Sequence, residues 1–100
     1  MPHVEWTPIA KADLKEIGHF IAERDGRRLT ARKIVREIHA KCFDYASSPL
    51  LGEANPNLGE RFRFFPHKRW VVIYQPRDYG LEVFAVLDGS REYESIFRGR

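Results

Sequence analysis

The apolar residues of this chain change their spacing once, near residue 50, and that change limits the folds open to it. Up to Tyr45 they recur at helical spacing, and from Arg61 onward they alternate at period two. Ala10, Leu14, Ile17 and Ile21 fall at 4-3-4 spacing, a single apolar stripe on a helix. Thr7 supplies an N-cap hydroxyl and Pro8 a preset φ at the first helical position. Asp25-Gly26 supplies the stop, because glycine takes the left-handed conformation that ends helices without steric cost. A second helix carries Ala31, Val35, Ile38, Cys42 and Tyr45 at 4-3-4-3 spacing, widened by Ile34 and closed by Ser47-Ser48-Pro49. Two such stripes joined by a short turn predict an antiparallel helical hairpin. Ahead of it, His3 to Trp6 reads as a short strand with Val4 and Trp6 on one face.

From Leu50 to Glu60 the composition turns to Gly, Pro and Asn, which reads as a loop. In the segment that follows, Arg61 and Arg63 point one way and Phe62 and Phe64 the other. Pro66-His67-Lys68 reads as a turn, Trp70 to Tyr74 as a strand apolar on both faces, and Gln75 to Gly80 as the next turn. Leu81 to Leu87 forms the last strand, with Leu81, Val83, Ala85 and Leu87 expected on one face and Phe84 and Val86 on the other. Asp88-Gly89-Ser90 then leads into a short terminal helix holding Tyr93, Ile96 and Phe97. The expected architecture is an α+β domain over residues 1–100. Its order is β-α-α-β-β-β with a short C-terminal helix, the hairpin packed on a small antiparallel sheet. Two helices cover only one face of such a sheet, and the tail from Arg91 is too short to cover all of the other. Either the sheet twists strongly around the helices, or apolar surface is left for a partner.

Composition narrows the function classes. At 100 residues, with 43% hydrophobic and 31% charged, the chain is a single folded domain rather than a disordered one. Its one cysteine, Cys42, excludes an internal disulfide framework and a thiolate metal cage. No apolar run approaches the roughly 18–20 residues of a membrane span, and the N-terminus lacks a signal peptide's basic start and apolar stretch, so a cytoplasmic location is expected. The net charge of +3 is unevenly distributed. Arg24 to Lys41 holds seven basic residues against two acidic ones, a local net of +5, and Arg61 to Arg69 holds four basic residues and no acid. Such blocks are either solvated faces or attractors of nucleic acid or an acidic protein segment.

Familiar catalytic constellations are missing. His3, His19, His39 and His67 are not at metal-ligand spacing and no Asp or Glu cluster completes a site, so neither a metal nor another cofactor is expected. The seven glycines are scattered at turns, without a phosphate-cradling loop. Cys42 falls in an apolar stripe, as a core residue does, and Ser47 and Ser48 have no base near them in sequence. What remains is basic and aromatic: Arg61, Arg63, Lys68, Arg69 and Arg91, with His67, Glu92 and Tyr93 nearby. RNA cleavage through the 2′-hydroxyl uses such residues, cations for the phosphorane charge and a His, Glu or Tyr for the protons. Alternatively, the arginines tie loops and tail to the sheet, or pair with acids of a partner.

Trp6-Thr7-Pro8 followed by Ala10, Lys11, Asp13, Leu14 and Ile17 resembles the opening of ParE-type toxins of the RelE/ParE superfamily. Leu58-Gly59, Arg63-Phe64-Phe65-Pro66 and Trp70-Val71-Val72-Ile73-Tyr74 resemble their leucine-glycine loop and their arginine and tyrosine strands. Leu81-Glu82-Val83 with Val86-Leu87-Asp88-Gly89-Ser90-Arg91-Glu92 resembles their last strand and glycine-x-arginine-acid turn, so the likeness runs from Val4 to Phe97. It implies a toxin of a type II toxin–antitoxin system, neutralised by a ParD-like antitoxin whose C-terminal segment wraps the hairpin and the sheet. An apolar, acidic peptide of that kind suits the basic helix and the open sheet face.

Within the superfamily, ParE-like members poison DNA gyrase and RelE-like members cut messenger RNA on the ribosome. A degenerate member retained only as an antitoxin-binding partner is a third possibility. Of the nuclease's residues, the resemblance keeps Arg61, Arg63 and Arg91, but its strand arginine falls on Val71 and its terminal tyrosine on Phe97, with Tyr93 one turn earlier. The expectation is therefore a gyrase-inhibiting toxin that is not itself an enzyme, the nuclease being the alternative with Arg61, Arg63, Arg91 and Tyr93 as its chemistry. Target-binding candidates are Arg63, Arg91, Tyr93 and Phe97. Antitoxin-binding candidates are Arg32 and Arg36 on the second helix, with Trp70, Val72, Tyr74 and Phe84 on the open face of the sheet. Neither membrane binding nor sequence-specific DNA binding by the toxin alone is expected.

Overall fold

The computed structural model of the chain describes residues 1–100, the side chain of Asp25 excepted. Strand β1 (His3–Trp6) leads through Thr7 into α1 (Pro8–Asp25). The Thr7 hydroxyl accepts the Ala10 N–H at 3.1 Å, and Gly26 closes the helix at φ 62°. Helix α2 (Arg28–Ala46) follows directly, so the two helices form the expected hairpin. Ala10, Leu14, Ile17 and Ile21 of α1 and Ala31, Ile34, Ile38, Cys42 and Ala46 of α2 are all buried in one core. Each of the large aliphatic ones contributes roughly 1.5–3 kcal/mol by leaving water.

The sheet contains β2 (Glu53–Ala54), β3 (Arg63–His67), β4 (Trp70–Arg77) and β5 (Gly80–Asp88) besides β1, in the order β1-β5-β4-β3-β2. Its later strands pair antiparallel, whereas β1 lies parallel to β5. The short α3 (Tyr93–Arg98) ends the chain. Three local expectations need correcting. The segment read as loop holds two 3₁₀ turns, Pro49–Leu51 and Pro56–Leu58, and the two-residue β2, too short to show alternation. Pro66 and His67 belong to β3, so the turn is at Lys68-Arg69, with Lys68 at φ 56°. Strand β4 likewise runs on to Arg77, still paired with β5; Pro76 is tolerated because β3 stops opposite Tyr74 and leaves the other edge of β4 unpaired there.

The most consequential departure is a bulge in β5. Ile73 pairs with Ala85 but Tyr74 pairs with Val83, leaving Phe84 as an extra residue. The bulge reverses the alternation beyond it. Leu81, Val83 and Val86 therefore face the helices, while Ala85 and Leu87 face the other way. On β4, Trp70, Val72 and Tyr74 face the helices too, at 6%, 0% and 0% exposure, so these three are core residues and not part of an open sheet face.

The second face is covered from within the chain. Val71, Ile73, Ala85 and Leu87 form its floor, and Leu58 and Phe62 from the loop and Tyr93 and Phe97 from α3 pack over it. The expected shortfall of the tail is thus made up largely by residues 58–62, which precede β3; the alternation expected from Arg61 begins in the structure only at Arg63.

Candidate functional site

Arg63 is partly buried and anchored to the backbone. Its Nη1 donates to the carbonyls of Gly52 at 2.8 Å and Leu50 at 3.2 Å. Beside it, the buried Tyr74 hydroxyl accepts the Gly52 N–H at 3.0 Å and donates to the Pro49 carbonyl at 2.5 Å. Burial pushes the Tyr74 phenol above its ordinary range, the Gly52 contact and Arg63 opposing this in part. Gly52 is obligatory, because a Cβ there would overlap the Tyr74 ring. These groups form a knot that fixes residues 49–52 against the sheet, and it accounts for Arg63 as a structural arginine.

Arg91 stands elsewhere. It is exposed, beyond Asp88 and the Trp70 end of β4, whereas Arg63 pairs with Tyr74. The two arginines expected to act together are therefore not neighbours: Arg63 stands opposite the middle of β4 and Arg91 beyond its first residue. Arg91 lines a hollow of about 210 Å³ with Phe20, Trp70 and Asp13. Asp13, 7% exposed, accepts the Val86 N–H at 3.0 Å and both guanidinium nitrogens of Arg100 at 2.8 Å. A single carboxylate thus joins α1, β5 and the C-terminus, a bidentate contact of the stronger kind.

The aromatic residues of the second face interlock edge to face. Phe62 meets Phe84 and Phe97 with ring centroids 5.0 Å apart in both cases, and Tyr93 lies 6.4 Å from Phe64. Arg61 does not point along with Arg63. Its guanidinium folds over the Phe62 ring at 4.7 Å and the Phe84 ring at 5.8 Å. Val71, where the nuclease pattern carries an arginine, is buried at 7% among these groups. Cys42 is fully buried, and desolvation pushes its thiol up to about 12, which leaves no thiolate for chemistry.

The outer side of the hairpin carries a different feature. Gly18, Ala22, Ala31 and Val35 floor a groove of about 680 Å³ between α1 and α2, rimmed by Lys15, Arg28 and Arg32. It continues past Val35 to Lys11, Trp6 and His39. Arg32 lines this groove; Arg36 is exposed on α2 but outside it. His39 packs on Trp6 at 4.7 Å, and burial holds its pKa below the usual imidazole value. The groove is hidden in sequence because Gly18 and Ala22 belong to no apolar stripe, while Ala31 and Val35 sit in the stripe of the second helix and read as core. No helix among the described residues is long and apolar enough to cross a membrane.

A helical hairpin on a five-stranded sheet, closed by a short helix over an aromatic second face, has known counterparts. A chain of the chromosomal ParDE TA system from P. aeruginosa superposes with a TM-score of 0.74 at 18% identity, over 88% of this chain and 96% of that one. At that identity the likeness establishes the fold. The family model of the ParE toxin of type II toxin–antitoxin system, parDE, matches residues 4–93. The protein belongs to this ParE toxin family. No curated protein sequence matches it.

Proposed function

We propose that this toxin acts in the cytoplasm by inhibiting DNA gyrase, without being an enzyme itself, and that a ParD-like antitoxin neutralises it. One observation carries the choice of gyrase over RNA cleavage. At the positions where the nuclease resemblance needs cations and a proton-transfer group, Arg63 is tied through its Nη1 to two backbone carbonyls, Val71 is a buried aliphatic, and Phe97 packs on Phe62 without a hydroxyl. Losing the charge stabilisation and the acid–base group costs roughly 10²–10³-fold each in rate. A binding mode of action asks for neither.

The antitoxin is assigned to the hairpin groove. A floor of small apolar residues with Lys11, Lys15, Arg28 and Arg32 along its rim, and Glu23 as the only acid among the described residues that line it, suits an acidic amphipathic segment. Replacing Arg28 and Arg32 with Glu is expected to weaken the antitoxin by roughly tenfold or more, while Arg36→Glu changes little. Equal losses from both would move the antitoxin away from the groove.

The direct test of the target is plasmid supercoiling by purified gyrase. Loss of supercoiling with accumulation of cleaved DNA is expected when antitoxin-free toxin is added, and antitoxin should restore it. An unaffected gyrase, together with RNA fragments from a translating extract, would return the assignment to the nuclease.

A further inference from the structure

A second groove, about 880 Å³ in volume, opens on the aromatic side of the molecule, away from the hairpin groove. Phe84 and Phe97 form its floor, and Ile9, on the first turn of α1, stands half exposed at its edge. Arg61, Arg98 and Arg100 surround it, and no acidic residue lines it among the described residues. Arg100 is neutralised by Asp13. Arg98 reaches only the Asn57 carbonyl, at 3.3 Å, and Arg61 lies over rings, so neither has a carboxylate partner among the described residues. The surface is thus apolar below and cationic above.

We propose that this groove is the docking surface for an acidic, aliphatic segment of the toxin's target protein. The proposal rests on the reading of the chain as a toxin with a protein target. Charge complementarity selects the acidic character, since two unpaired arginines flank an apolar floor without a compensating acid. The aromatic geometry selects a peptide over a nucleic acid. Stacking of bases needs free ring faces, but Phe62 is buried and set nearly perpendicular to Phe84 and Phe97, and Arg61 lies over the rings of both Phe62 and Phe84. Aliphatic side chains need only the apolar floor, and acidic neighbours along the same segment reach Arg61 and Arg98.

The same placement explains how an antitoxin in the hairpin groove interferes. Trp6 and Lys11 line that groove, while Thr7, Pro8 and Ile9 line this one, so the two meet at the corner between β1 and α1. An antitoxin seated on the hairpin stands at the mouth of the target groove and blocks it by bulk.

The test is the double replacement R61E/R98E, two exposed side chains whose loss leaves both cores intact, alongside R61K/R98K. Three readouts are needed: growth arrest in cells expressing the toxin without antitoxin, affinity for purified antitoxin, and gyrase supercoiling. The Glu pair is expected to lose growth arrest by at least roughly tenfold in toxin dose while antitoxin affinity stays within about threefold, and the Lys pair to retain arrest. Persistent arrest with the Glu pair overturns the proposal. So does a matching fall in antitoxin affinity, or a single-stranded RNA 20-mer that binds the wild type and not the Glu pair. Should gyrase prove insensitive to wild-type toxin while arrest still depends on Arg61 and Arg98, the gyrase assignment fails and the docking groove stands. A wild-type chain that leaves growth untouched overturns both.

Discussion

The two faces of the sheet are built by different means. The face under the hairpin is closed by two long helices whose aliphatic stripes leave Ile38, Val72, Tyr74, Leu81 and Val83 without exposed surface. The other is closed by a six-residue helix and a loop, through aromatic rings set edge to face, and several of its members, Phe64, Phe84, Tyr93 and Phe97, are only partly buried. Aliphatic interdigitation removes nearly all the surface it covers. Edge-to-face rings leave margins, and here arginines occupy them. On the proposed reading, the first face supplies stability and a rigid hairpin to carry the antitoxin groove, and the second supplies a surface for a target.

The sharpest way to break this comparison is to cut one residue from each face. Ile38→Ala, in the fully buried core, should destabilise by about 2–5 kcal/mol in chemical denaturation. Phe97→Ala should cost only about 1–2 kcal/mol because its ring is only partly buried, yet it should abolish growth arrest where Ile38→Ala, at a temperature where it is folded, does not. Equal stability costs and equal toxicity would erase the division.

Asp13 tests whether the faces are tied together. Asp13→Ala removes the acceptor of the Val86 N–H and of Arg100, and a cost of about 2–3 kcal/mol is expected. The distinguishing readout is hydrogen exchange, which should speed up at the amides of α3 more than at those of α2. Tyr74→Phe leaves the Pro49 carbonyl and Gly52 N–H unpaired and should cost about 1–2 kcal/mol, with little effect on growth arrest, since the knot around Arg63 is structural.

The smallest expected effect is at acid pH. Burial opposes ionisation of Asp88, but hydrogen bonds from Ser90 and Arg69 outweigh it and bring its pKa to about 2 from an ordinary 3.8. A lowered folded-state pKa means stability that is present above the unfolded value and lost as pH falls from about 4 towards 2. Asp88→Asn should flatten that part of the curve of stability against pH, and an unchanged slope would contradict the contact.

What was legible in the sequence follows the same division. The hairpin could be read because Thr7, Pro8 and Gly26 punctuate stripes of fixed spacing, and each stripe residue needs only its own helix to define its face. The second face could not, because the bulge at Phe84 inverts Ala85, Val86 and Leu87, because Leu58 comes from a segment without a period, and because Phe62, read as part of the alternation, lies ahead of β3. Trp70, Val72 and Tyr74 were assigned to an open face for want of a way to tell which alternate set on β4 meets the helices; in a strand apolar on both sides the pattern is silent on that point. Arg63 looked like a functional cation because its partners are backbone carbonyls, which no sequence displays. The target groove draws on Pro8 and Ile9, Arg61, Phe84 and the tail, four stretches that only the fold brings together. The +5 block was legible, but only its Arg28 and Arg32 reach the hairpin groove.

The most direct test of the separation between the faces is hydroxyl-radical footprinting of the toxin with and without its antitoxin. Side chains along the hairpin groove, Trp6, Val35 and His39, should be strongly protected in the complex. Phe84, Phe97 and the far side of the second groove should keep most of their reactivity, with Ile9 at the corner intermediate. Strong protection of Phe84 and Phe97 with an unchanged Trp6 and His39 would contradict it, placing the antitoxin on the aromatic face and leaving the hairpin groove without an occupant.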